Sequence, residues 1–128
     1  MAQKRILVVD DDAYVRTLVV KILDGRGYLA QPAVDAWQAM DLLQQQDIDL
    51  IILDLRMPGP VDGEQLLFAL RDQGNDVPVI VLSGWVDEEI SNAPPDCVHA
   101  VLKKPIHVDS FADTVASVLG EPPPTTAS

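Results

Sequence analysis

Residues 4–12 read Lys4-Arg5-Ile6-Leu7-Val8-Val9-Asp10-Asp11-Asp12, and this stretch decides the fold. Four apolar residues follow one another with no polar alternation, and three of them are β-branched. A strand of this kind buries both faces, which is the habit of a parallel sheet covered by helices. The run then stops in three aspartates. Two further runs follow the same plan. Leu50-Ile51-Ile52-Leu53 ends in Asp54, and Val77–Leu82 ends in Ser83-Gly84. Two weaker runs flank these. Tyr28–Ala33 contains Gln31 and Pro32, and Cys97–Leu102 is interrupted by His99, so both suit sheet edges.

Helical patterns fill the intervals. Val15, Leu18, Val19, Ile22 and Leu23 follow i, i+3, i+4, i+7 spacing, and Gly25 and Gly27 close that helix. Asp35 followed by Gln38 resembles a capping box and opens a helix through Trp37, Met40, Leu42 and Leu43. Asp62 and Gln65 repeat the device before Leu66, Leu67 and Leu70. A short helix is expected from Asp87 to about Asn92, stopped by Pro94-Pro95. Val108, Phe111, Ala112, Val115, Val118 and Leu119 make the last, with Gly120 beyond. The pattern is β-α five times, which implies an α/β fold with a doubly wound, five-stranded parallel sheet. Residues 1–120 form one domain. Residues 121–128, Pro-rich at their start, are either a free tail or the start of a linker.

Composition narrows the function. The 128 residues are 48% hydrophobic, enough for one core, and carry a formal charge of −11. That charge speaks against binding nucleic acid through phosphates and against docking on anionic membrane. Sixteen of the twenty acids are Asp, a residue suited to caps, turns and oxygen-ligand sites rather than helix interiors. The one cysteine, Cys97, excludes an internal disulfide. The N-terminus is not patterned as a signal peptide, so the chain reads as cytoplasmic.

In an open parallel sheet, ligands bind beyond the carboxyl ends of the strands, where the strand order reverses. There the sequence offers Asp10-Asp11-Asp12, then Asp54, Ser83-Gly84 and Lys103-Lys104-Pro105. Carboxylates ~4 Å apart repel by about 4 kcal/mol per pair at an effective dielectric near 20. A hard divalent cation relieves this, and few, all-oxygen ligands favour Mg²⁺. A lysine and a hydroxyl beside the acids suit phosphoryl transfer to or from a carboxylate. Plainer roles compete for several residues. Asp12 reads as a helix cap, and Lys103 as a solvated charge. His99 and His107 stand too far from other ligand types to suggest a metal, and His107 falls at the start of the last helix. Trp37, Met40 and Phe111, at helical spacing, read as core.

Ile6-Leu7-Val8-Val9-Asp10-Asp11, Leu53-Asp54-Leu55-Arg56-Met57-Pro58-Gly59, Val81-Leu82-Ser83-Gly84 and Lys104-Pro105 occur in the order and spacing of response-regulator receiver domains. The resemblance covers residue 4 to about residue 119. It implies a flavodoxin-like three-layer sandwich and the following roles. Asp54 would accept a phosphoryl group from a sensor histidine kinase or phosphotransfer protein. Asp11 would hold Mg²⁺ directly and Asp10 through water, with Asp54 and the backbone carbonyl of Arg56 completing the protein ligands. Ser83 and Lys104 would bind the phosphoryl oxygens, and Pro105 would follow a cis peptide bond. Arg56 and Trp85, two residues beyond Asp54 and Ser83, would flank the path of the hydrolytic water and slow dephosphorylation. The phosphorylated surface would act on an output domain beyond the tail or on a separate partner, and a weak homodimer is compatible with it.

The sequence departs from the family's usual pattern in four places. The loop between Pro58 and Asp62-Gly63 is one residue longer. Val101 stands where an aromatic switch residue is usual, and Gly84 stands where Ala is usual. Pro94 and Pro95 shorten the fourth helix. Two other functions compete. One is an aspartate-nucleophile phosphohydrolase, which lacks here the acidic pair after the lysine and the length for a substrate cap. The other is a receiver-like interaction module that is never phosphorylated.

Overall fold

The computed structural model describes residues 3–54, 63–83, 98–103 and 106–120. The elements are β1 (Arg5–Val9), α1 (Ala13–Gly25), β2 (Leu29–Ala33), α2 (Ala36–Gln45), β3 (Leu50–Asp54), α3 (Gly63–Asp72), β4 (Val79–Ser83), β5 (Val98–Lys103) and α4 (Val108–Val118). The strands form one parallel sheet in the order β2-β1-β3-β4-β5. The two interrupted runs are thus the two edges. Pro32, opposite Val8 on β2, lacks an N–H, and an edge strand tolerates that loss. At the other edge Val79 faces Val98 and Ile80 faces Ala100, so the register skips His99. The short helix expected over Asp87–Asn92 lies outside the described residues.

Strand alternation divides the core into two layers. Leu7, Val9, Ile51, Leu53, Val79 and Val81 face Ala36 and Ala39 of α2 and Leu66, Leu67 and Leu70 of α3. Ile6, Val8, Leu50, Ile52, Ile80 and Leu82 face Val19, Ile22 and Leu23 of α1 and Phe111 and Val115 of α4. The interiors of the central strands are apolar because both faces are covered. Each Val, Leu or Ile side chain removed from water in this way stabilises the fold by roughly 1.5–3 kcal/mol.

The helix ends follow their signals. Asp12 caps α1, its carboxylate accepting the N–H groups of Tyr14 and Val15. At the other end Gly27 takes φ +89°; its N–H bonds the Asp24 carbonyl and the Tyr28 N–H bonds that of Leu23. That is a Schellman closure, which needs a left-handed residue and so favours glycine. Asp35 caps α2 through the Gln38 N–H at 2.9 Å. The Gln38 side chain returns to the N–H of Val34 rather than to that of Asp35, so the box closes one residue upstream. His107 is the N-cap residue of α4, without a side-chain bond.

One expected core residue is not in the core. Phe111 is 1% exposed and Met40 packs partly against the core, but Trp37 is 58% exposed. The inward stripe of α2 runs through Ala36 and Ala39. Trp37 lies one residue, about 100°, around the helix from Ala36.

Candidate phosphoacceptor site

The strand order reverses between β1 and β3, since β2 lies on the outer side of β1 and β3 on the inner. The crevice at such a reversal is where an open α/β sheet takes its ligand. Asp10 is the first residue past β1, and Asp54 is the last of β3. Val9 lies beside Leu53 in the register, so the two acids leave neighbouring strands at one height. Both are buried, Asp10 at 1% exposure and Asp54 at 7%, whereas Asp11 is exposed. One carboxylate oxygen from each of the three lies within 4.8 Å of the others.

The backbone around Asp10 is held from several sides. Its N–H donates to the Ala33 carbonyl at 3.3 Å, and its Oδ1 accepts the Asp12 N–H at 2.9 Å. Nη1 of Arg16 donates to its carbonyl oxygen at 2.7 Å. Arg16 is a contact that the sequence did not signal, because an arginine in the first turns of an acidic-capped helix has no distinctive spacing. Asp10 and Asp11 directly precede the N-cap of α1, on the side where the helix dipole favours negative charge.

Three carboxylates this close repel by about 3 kcal/mol per pair at an effective dielectric near 20. The donor set is all oxygen, anionic, and open on the side of Asp11. That fits a small hard cation such as Mg²⁺, bound through a few carboxylates with positions left for water and a phosphate oxygen.

Asp10, Asp11 and Asp54 are thus brought together as the sequence implied. Ser83 ends β4, one residue beyond the register position of Asp54, and its backbone lies opposite Lys103 on β5. Arg56, Trp85, Lys104 and Pro105, with the peptide bond before it, lie outside the described residues. His99 and His107 are exposed and belong to no cluster of metal-ligating side chains among the described residues.

No helix among the described residues is long and apolar enough to cross a membrane. The family model described as response regulator receiver domain matches residues 6–116. The chain is 34% identical over 120 residues to the C4-dicarboxylate transport transcriptional regulatory protein DctD of Pseudomonas aeruginosa. That match covers 92% of this chain and 26% of DctD. It is 26% identical to the sporulation initiation phosphotransferase F of Bacillus subtilis over 93% of this chain and 96% of that protein. Other longer relatives are matched over about a third of their length or less. Its fold superposes on the chemotaxis protein CheY4 of Vibrio cholerae with a TM-score of 0.84 at 27% identity, covering 91% of this chain and 99% of that one. Fold, acidic cluster and sequence match agree: the chain belongs to the response regulator receiver domain family.

Proposed function

We propose that this receiver domain accepts a phosphoryl group on Asp54 from a phosphohistidine, on a sensor histidine kinase or a phosphotransfer protein. The observation that carries the reading is the convergence of buried Asp54 with Asp10 and exposed Asp11 at the strand-order reversal. An Oδ of Asp54 attacks phosphorus, a P–O bond forms, and the P–N bond to the histidine breaks with its electron pair returning to the imidazole. The product is an acyl phosphate. Asp10, Asp11, Asp54 and the carbonyl of Arg56 would hold Mg²⁺. The ion, when bound, neutralises charge on the acids and on the incoming phosphoryl oxygens. Ser83 and Lys104 bind those oxygens, and Arg56 and Trp85 shield the acyl phosphate from water.

Residues 1–120 constitute the receiver in this reading, and 121–128 a tail or the start of a linker. The domain performs its own phosphorylation and slow dephosphorylation and turns over no separate substrate. Output passes through a linked domain or a separate partner, in the cytoplasm.

The test is a mass measurement after incubation with a small acyl phosphate donor and Mg²⁺. One added phosphoryl group is expected, absent from Asp54→Asn and absent in excess chelator. An amide is not a nucleophile, so undiminished labelling of that variant refutes the assignment. No labelling of the wild-type chain favours an interaction module that is never phosphorylated. Release of phosphate from small phosphomonoesters over many turnovers favours a phosphohydrolase instead.

A further inference from the structure

Arg16 is the fourth residue of α1, half-buried, and reaches back over the helix cap. Its backbone N–H donates to the Asp12 carbonyl at 3.0 Å, in the first turn of the helix. Its side chain does something different: Nη1 donates to the Asp10 carbonyl at 2.7 Å, the short end of the N–H···O range. That carbonyl belongs to the peptide unit joining Asp10 to Asp11. The bond is charge-assisted, hence stronger than a bond between neutral groups, and the planar guanidinium gives it direction. The acceptor is a neutral carbonyl, so the charge of the acids remains in place for a cation.

We propose that Arg16 is a positioning residue for the acidic site. It pins the Asp10–Asp11 peptide so that the carboxylates on either side of it stay directed at Asp54. The need is plain from the geometry. Buried Asp10 is held by its N–H, by its Oδ1 and by packing, whereas Asp11 is exposed and takes its position from the backbone that carries it. Repulsion among the three acids drives that backbone away from Asp54, and the guanidinium opposes the movement through the carbonyl. Groups that orient metal ligands in this indirect way typically change metal affinity by about 10–100-fold when removed. The inference rests on reading the acidic triad as a divalent-cation site.

The sign of the effect separates positioning from simple charge. Removing a positive charge beside a cation site tightens cation binding by Coulomb's law alone. Loss of the clamp weakens it. The experiment is a titration with Mn²⁺ alone, followed by the signal of the free ion, on the full chain as wild type, Arg16→Ala and Arg16→Lys. Melting temperatures are taken without metal. The expected result is affinity weakened about tenfold in Arg16→Ala, with Arg16→Lys in between, because lysine keeps the charge but is shorter and lacks the planar donor. Unchanged or tighter binding in folded Arg16→Ala overturns the proposal. A lower melting temperature with unchanged affinity overturns it too, since that is a structural role only. Should Arg16→Ala not fold, Arg16→Lys decides: weaker binding supports the clamp and wild-type affinity overturns it. A wild-type chain that binds no Mn²⁺ saturably removes the cation site and this inference together. Wild-type binding that both variants share removes the clamp alone.

Discussion

The backbone N–H of Asp12 donates to Oδ1 of Asp10 at 2.9 Å. The residue that caps α1 with its side chain therefore fixes a site carboxylate with its main chain. These two jobs can be separated by mutation. Asp12→Ala removes the cap, which costs about 1 kcal/mol, but keeps the N–H. Chemical denaturation should show that loss, while Mn²⁺ affinity stays within about twofold of wild type, well short of the change expected for a lost ligand-orienting group. A collapse of metal affinity in this variant contradicts the assignment of Asp12 as a cap only.

Metal should stabilise the fold. Asp10, Asp11 and Asp54 converge only in the native chain, so a cation bound there favours the native state by mass action, about 2.7 kcal/mol at a hundred times its Kd. For a domain of this size that raises the melting temperature by roughly 10 °C. Asp11→Asn removes one of the repelling charges. It should melt higher than wild type without metal and gain less from Mg²⁺. Equal melting points with and without saturating Mg²⁺ contradict the site.

The fold was legible in the sequence where burial is two-sided. Ile6–Val9 and Ile51–Leu53, short, apolar and separated by helical patterns, fit a covered parallel sheet, which keeps such runs dry. Interruption by Gln31, Pro32 and His99 marked the edges correctly, since only an edge tolerates a missing donor or a skipped residue. The acids were legible because three carboxylates at one reversal of strand order have no inexpensive structural use. Trp37 was misread, since helical spacing does not fix which of two adjacent residues faces inward. The inward stripe is set by the small Ala36 and Ala39 instead. Arg16 was invisible because its partner is a backbone carbonyl, and every residue supplies one.

Trp37→Gln should change stability by no more than about 0.5 kcal/mol, because the ring is mostly in water. Phe111→Ala should cost about 3–5 kcal/mol, because the ring is buried between α4 and the sheet. Denaturant unfolding of the two variants beside wild type checks both. A loss of more than about 1 kcal/mol in Trp37→Gln contradicts the exposed placement.

Val101 bears on how phosphorylation, as proposed, would be transmitted. It sits on edge strand β5, 36% exposed, opposite Val81. A long aromatic side chain at such a half-exposed edge position has two well-separated χ1 orientations to move between. Valine does not: it is short, has one χ angle, and is held by β-branching in a strongly preferred rotamer. In the proposed reading Ser83 would respond instead. It is the last residue of β4, one residue beyond the register position of Asp54. In the proposed reaction its hydroxyl would gain a charge-assisted bond to a phosphoryl oxygen, about twice as strong as a neutral one. The response should therefore be a backbone displacement that begins at Ser83, with the side chain at position 101 passive. NMR spectra with and without beryllofluoride and Mg²⁺ test this. The amide signal of Ser83 should shift strongly, and the Val101 methyl signals should keep their positions and rotamer averaging. Large changes at the Val101 methyls with a silent Ser83 amide would overturn the account. So would Val101→Tyr leaving the response of the strand unaltered, because an added aromatic gives β5 the swinging group that valine denies it.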